Sequence, residues 1–88
     1  MERRNRSLEA LKRLQYIDTL DIQQRAHLLV GWVDQYIDDV SINNIDLTIN
    51  DMKHLSELFY KNINFLKQHQ KDIKFQLDSH HKIKKFLH

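Results

Sequence analysis

With 14 Lys and Arg against 12 Asp and Glu, no cysteine, no proline and a single glycine, this 88-residue chain is bounded before any motif is sought. Disulfide staples and thiolate metal clusters are excluded. The near absence of the residues that punctuate β-hairpins argues against an all-β fold, and a chain this short suits one hydrophobic core. The expectation is an all-α single domain over 1–88: a small bundle of about three helices with a long C-terminal helix, completed by dimerisation.

The first helix is expected over about 7–18. Ser7 can cap its first turn, Glu9 suits the positive end of the helix dipole, and Leu8, Leu11, Leu14 and Ile17 mark a buried face at three-residue spacing. A break is expected near residues 18–20, where Asp18 and Thr19 are both candidate caps for the next helix.

The second helix, about 20–40, carries the strongest periodic signal. Ile22, Ala26, Leu29, Val33, Tyr36 and Val40 recur at alternating spacings of four and three, a coiled-coil seam. Gly31 lies beside Trp32 within it and costs about 1 kcal/mol against alanine, so close approach of another helix is expected there. The apolar run AHLLVGWV, Ala26 to Val33, is well short of the roughly 20 residues a membrane span needs. Since no apolar h-region follows MERRNRS, neither membrane attachment nor a signal peptide is expected, and cytoplasmic residence is the default.

Residues 41–48 read as a loop with an extended middle, in which Ile45, Leu47 and Ile49 alternate with polar residues. Thr48 with Asp51 three residues on resembles a capping box, so a third helix is expected from about 49. Its stripe, Met52, Leu55, Phe59, Ile63, Leu66, His69, Ile73, Leu77, His80, Ile83 and Leu87, meets no proline or glycine, which predicts a helix over 49–87. Unbroken, it would span about 55–60 Å, beyond the roughly 30 Å width of a compact chain of this size. A bend near Asp78 to His81, or a second copy covering the overhang, resolves the mismatch, and the homodimer is the expectation.

The charges are arranged in blocks: net +3 over residues 1–13, −6 over 14–60 and +5 over 61–88. Such blocks solvate helices and steer their packing, and they also admit phosphate contacts by Arg3, Arg4, Arg6, Lys12, Arg13, Lys82, Lys84 and Lys85. A net charge of +2 without a recognisable nucleic-acid motif makes that the second reading.

Six histidines raise a metal hypothesis. Asp51 with His54, and Asp78 with His81, each share a helical face, but 27 residues separate the pairs and no HExxH-type motif occurs. His69 and His80 fall on the apolar stripe, where a hydrogen-bonded structural role competes with a pH-sensitive interface. No serine lies in a strand-to-helix elbow, and one glycine builds no phosphate loop. Neither an enzyme nor a cofactor or metal protein is expected. The leading reading is a non-enzymatic helical protein that binds another protein, as a regulator, chaperone-like adaptor or inhibitor, through Trp32, Tyr36, Tyr60, Ile83, Phe86 and Leu87. The alternative is a dimeric nucleic-acid-binding regulator using the basic ends.

Overall fold

A computed structural model describes residues 2–37, 46–74, 77 and 80–87, with side chains from residue 4 onward. Four α-helices follow in order: α1 (Glu2–Ile17), α2 (Ile22–Tyr36), α3 (Ile49–Gln68) and the short α4 (His81–Lys84), with a 3-10 turn at Gln70–Asp72 between the last two. The described residues contain no strand, so the all-α expectation holds.

α1 buries Leu11, Leu14 and Ile17 of the expected stripe, with Ala10 buried beside them and Leu8 half-buried, but it begins five residues before Ser7. Ser7 is therefore no cap. It lies inside the helix, 5% exposed, and its Oγ accepts a hydrogen bond from the Asp46 amide at 2.8 Å, which fastens the approach to α3 against α1. The expected break is present, with a different cap: Asp21 accepts from the Gln24 amide at 2.9 Å and starts α2. Thr19 instead donates to the Tyr16 carbonyl, while the Asp18 carboxylate accepts from Lys61 at 3.0 Å and Asn62 at 3.2 Å.

α2 returns antiparallel to α1, since Arg6 donates to the Gln35 carbonyl and Trp32 Nε1 to the Ala10 carbonyl at 2.9 Å. Ala26, Leu29 and Val33 of the seam are fully buried. The helix ends at Tyr36, earlier than expected, with Ile37 as its C-cap; Val40 and the loop residue Ile45 lie outside the described residues. α3 starts where the sequence placed it, because Thr48 Oγ1 accepts from the Asp51 amide at 3.2 Å. Leu55, Phe59, Ile63 and Leu66 form its buried face.

The long C-terminal helix over 49–87 is not formed. α3 stops at Gln68 and His69 is its C-cap, its amide bonding the Phe65 and Leu66 carbonyls. Gln23 of α2 then holds both sides of the returning chain, donating to the Asp72 carbonyl and accepting from the Lys74 amide at 3.0 Å. Beyond this clasp Ile73, Leu77 and Ile83 join the same core as α1, α2 and α3, and Phe86 packs edge-on against Phe59 with ring centroids 5.0 Å apart. The radius of gyration, 12.7 Å, is close to the roughly 12 Å of a compact chain of this length. The overhang that led to the expectation of a second copy is thus replaced by intramolecular burial. The physical reason is the hydrophobic effect: folding back removes three aliphatic side chains from water without the entropic cost of association.

Gly31 differs too. It is exposed, and a Cβ built there would meet nothing within 4 Å, so no helix among the described residues approaches it.

Candidate partner-binding face

The apolar side chains that the core leaves uncovered include Tyr16, 61% exposed, and Leu28, 40% exposed. Both lie where α1 and α2 run side by side, and both line two adjoining depressions in that face. The first, about 420 Å³, is walled by Arg13 and Tyr16 from α1 and by Leu28, Gly31, Gln35 and Tyr36 from α2, over a floor of Ile17 and Trp32. The second, about 500 Å³, continues toward the turn between the helices and is lined by Leu20, Gln23, Gln24 and His27 together with the shared pair.

The floor is rigid. Trp32 is 3% exposed, its indole N–H is bonded to Ala10, and its ring lies 5.6 Å from Phe59 on the side facing α3. Gly31 carries no side chain above this floor, which makes the depression deep at that point. At the far end Arg6 lies over the Tyr36 ring at 5.2 Å, and Arg13 pairs with Glu9 at 3.0 Å, both side chains about half exposed. The Tyr36 hydroxyl is buried beside the Glu9 carboxylate, with no well-formed hydrogen bond among the described residues. Burial pushes its pKa above the ordinary value, against the pull of Arg13 and Arg6 and with support from Glu9.

Of the residues expected to meet a partner, Tyr36 is on this face, half-buried at its rim. Trp32, 3% exposed, is the floor of the first depression, while Ile83, 0% exposed, is a core residue. Phe86 and Leu87 are half-buried against the core, and Tyr60 is exposed but stands on α3, 5.2 Å from Phe59, away from the depressions. The reason is the same return of the chain after Gln68, which turns the terminal apolar residues inward.

The basic residues divide in a similar way. Lys82 donates to the carbonyls of Asp34 at 3.2 Å and Ile37 at 3.1 Å, so its ammonium serves the negative end of α2. Arg6 and Arg13 are engaged as described, while Arg4, Lys12, Lys84 and Lys85 are exposed; the Arg3 side chain and Asp78 lie outside the described residues. Among the described residues no three His, Asp or Glu side chains gather into a metal-sized group. His69 caps α3, stacks on Phe65 at 4.5 Å and lies 3.5 Å from Asp72. His80 precedes α4 and is half-buried.

Tyr16, Leu28 and Gly31 were missed as a site. The available signal was that AHLLVGWV is apolar nearly all round its helix, which gives α2 more apolar surface than one seam consumes. The spacing of Gln24, Leu28, Gly31 and Gln35, at four, three and four, was a second seam outside the first.

These features define a small all-α protein whose first two helices leave an apolar face open. Comparisons with protein-family models, curated proteins and solved structures find no match to this chain. Among the described residues no helix is long and apolar enough to cross a membrane.

Proposed function

We propose that this protein is a non-enzymatic binding module that holds or covers another protein through the α1–α2 face. The observation that carries the reading is the pair of adjoining depressions, the first floored by the buried Trp32, with Tyr16 and Leu28 exposed between them. Exposed tyrosine beside a preformed apolar pocket is the usual composition of an interaction hot spot. A regulator, an adaptor of chaperone type and an inhibitor all act this way, by occupying a partner's working surface.

The test compares affinity capture from the native host by the wild-type chain and by Leu28→Glu, whose side chain is on the surface and whose circular dichroism is expected to be unchanged. A protein held by the first and lost by the second supports the reading. Identical captures oppose it. Nucleic-acid binding, the second reading, rests on Arg4, Lys12, Lys84 and Lys85. It calls for affinity to random duplex DNA that falls steeply with salt and is unaffected by Leu28→Glu.

A further inference from the structure

The turn after α3 is built from residues that do not require a turn. Lys67 to Asp72 is a run of six polar side chains without glycine or proline, and no described residue has a positive φ, so no backbone position there is barred from a helix. His69, at φ −110° and ψ 17°, is about 50° and 60° from helical values, and Gln70–Asp72 already wind as a 3-10 turn. Straightening the four residues from His69 to Asp72 would lengthen α3 by about 6 Å and carry Ile73 along its axis, away from its own Gln23.

The contacts that oppose straightening lie near the surface. Gln23 holds Asp72 and Lys74, both exposed, and the half-buried His69 ring rests on Phe65 with Nδ1 3.5 Å from Asp72. The segment beyond the turn is held differently. Ile73, Leu77 and Ile83 are buried, Phe86 packs on Phe59, and Lys82 donates to the carbonyls of Asp34 and Ile37. An element that is deeply docked, joined through a hinge that is weakly held, can be exchanged between identical chains, because the same docking contacts form either way.

We infer that this chain has a second state, a dimer in which α3 continues straight to Asp72 and the segment from Ile73 to Leu87 docks on α2 and α3 of a second copy. The closed form specifies the occupant, since the cleft that receives Ile83 and Phe86 in one chain is the same cleft in the next. Each copy completes the other's core. Straightening adds four residues to each α3 while joining two chains costs association entropy, so concentration sets the balance. The α1–α2 face takes no part, and the dimer carries two copies of it.

The test refolds the full chain from urea at about 5 µM and about 500 µM and follows its mass by size exclusion with light scattering. Monomer is expected at the lower concentration, and at the higher a dimer that dissociates slowly on dilution. Refolding an equal mixture of isotope-labelled and unlabelled chains then locates the interface. An isotope-filtered NOE between Phe86 of one copy and Phe59 of the other is expected, whereas a dimer joined elsewhere shows that contact only within a chain. His69→Ala and His69→Gly both remove the ring and its contacts with Phe65 and Asp72, and they differ in helix propensity. The alanine variant is therefore expected to dimerise at least about tenfold more tightly than the glycine variant. Leu28→Glu, on the α1–α2 face, is expected to leave the dimer intact. A chain that stays monomeric at the higher concentration even as His69→Ala overturns the inference. So does a dimer without the Phe86–Phe59 contact between copies, a dimer abolished by Leu28→Glu, or equal association of the alanine and glycine variants.

Discussion

At the scale of single residues, two buried polar groups make the most specific demands. The Tyr36 hydroxyl is buried beside the Glu9 carboxylate without a well-formed hydrogen bond among the described residues, and its pKa is raised, burial being the main cause and Glu9 adding to it. A tyrosine whose folded pKa exceeds its unfolded value of about 10 contributes stability that is fully present below that pH and lost as pH rises through the folded value. Thermal midpoints of the wild type should therefore fall more steeply above about pH 10 than those of Tyr36→Phe, which at pH 7 should be about as stable because the hydroxyl makes no well-formed hydrogen bond. The second group is Asn62, fully buried on α3, whose amide donates to Asp18 at 3.2 Å and to the Leu58 carbonyl at 2.7 Å. Asn62→Asp would set a buried carboxylate against that of Asp18, where Lys61 meets the Asp18 carboxylate and the Arg25 guanidinium is held on the Asp18 carbonyl. A loss of about 2–4 kcal/mol is expected at pH 7 in urea denaturation, shrinking relative to wild type below about pH 4, where the raised carboxyl holds its proton in both states. Asn62 was not legible in advance, because an asparagine between Phe59 and Ile63 reads as the polar side of a helix until a partner such as Asp18 is known to face it.

At the scale of elements, what could be read and what could not follow from the same physics. Thr48 and the α2 seam were legible because a cap and a periodicity are local. The end of α3 was not, although the sequence held a trace of it. Lys67 to Asp72 contains six successive polar residues, and only His69 bridges the stripe from Leu66 to Ile73. Helix propensity through that run is adequate, so the break is set by a long-range contact, the clasp of Gln23 on Asp72 and Lys74. This makes a prediction. In Gln23→Ala the amides of Ile73, Lys74 and Leu77 should lose hydrogen-exchange protection while those of Leu14, Leu29 and Leu66 keep theirs, since a clasp removed from the surface loosens the segment it holds before it loosens the core. Equal loss in both groups would show that the clasp is not what holds the turn. The candidate face was half legible in the same sense. Its lines at four-three-four spacing are written in the chain, but that they stay uncovered depends on which side α3 chooses.

At the scale of the molecule, one core joins α1, α2, α3 and the returning segment, with Ile83 fully buried. Ile83→Ala should cost about 2–4 kcal/mol and lower the urea midpoint in a single transition, because the residue belongs to the shared core rather than to an appended tail. A biphasic curve would mean that α4 melts apart from the rest. The basic ends are legible at this scale only as numbers. Lys82 counts as one positive charge in the sequence, yet the fold commits it to the carbonyls of Asp34 and Ile37, leaving fewer cations at the surface than the composition suggests.

The return of the chain onto α2 also has a consequence in time. Synthesis runs from the N-terminus, so the residues of α1, α2 and α3 are made before Ile83 and Phe86. At about 5–20 residues per second, the 19 residues from Gln68 to Leu87 take about 1–4 s. During that interval Phe59 lacks the ring that packs on its edge and the end of α2 lacks its lysine. Any state in which α1, α2 and α3 have packed but the last segment has not docked therefore carries a second uncovered apolar surface, which the finished molecule hides and which a chaperone would meet before any mature partner does.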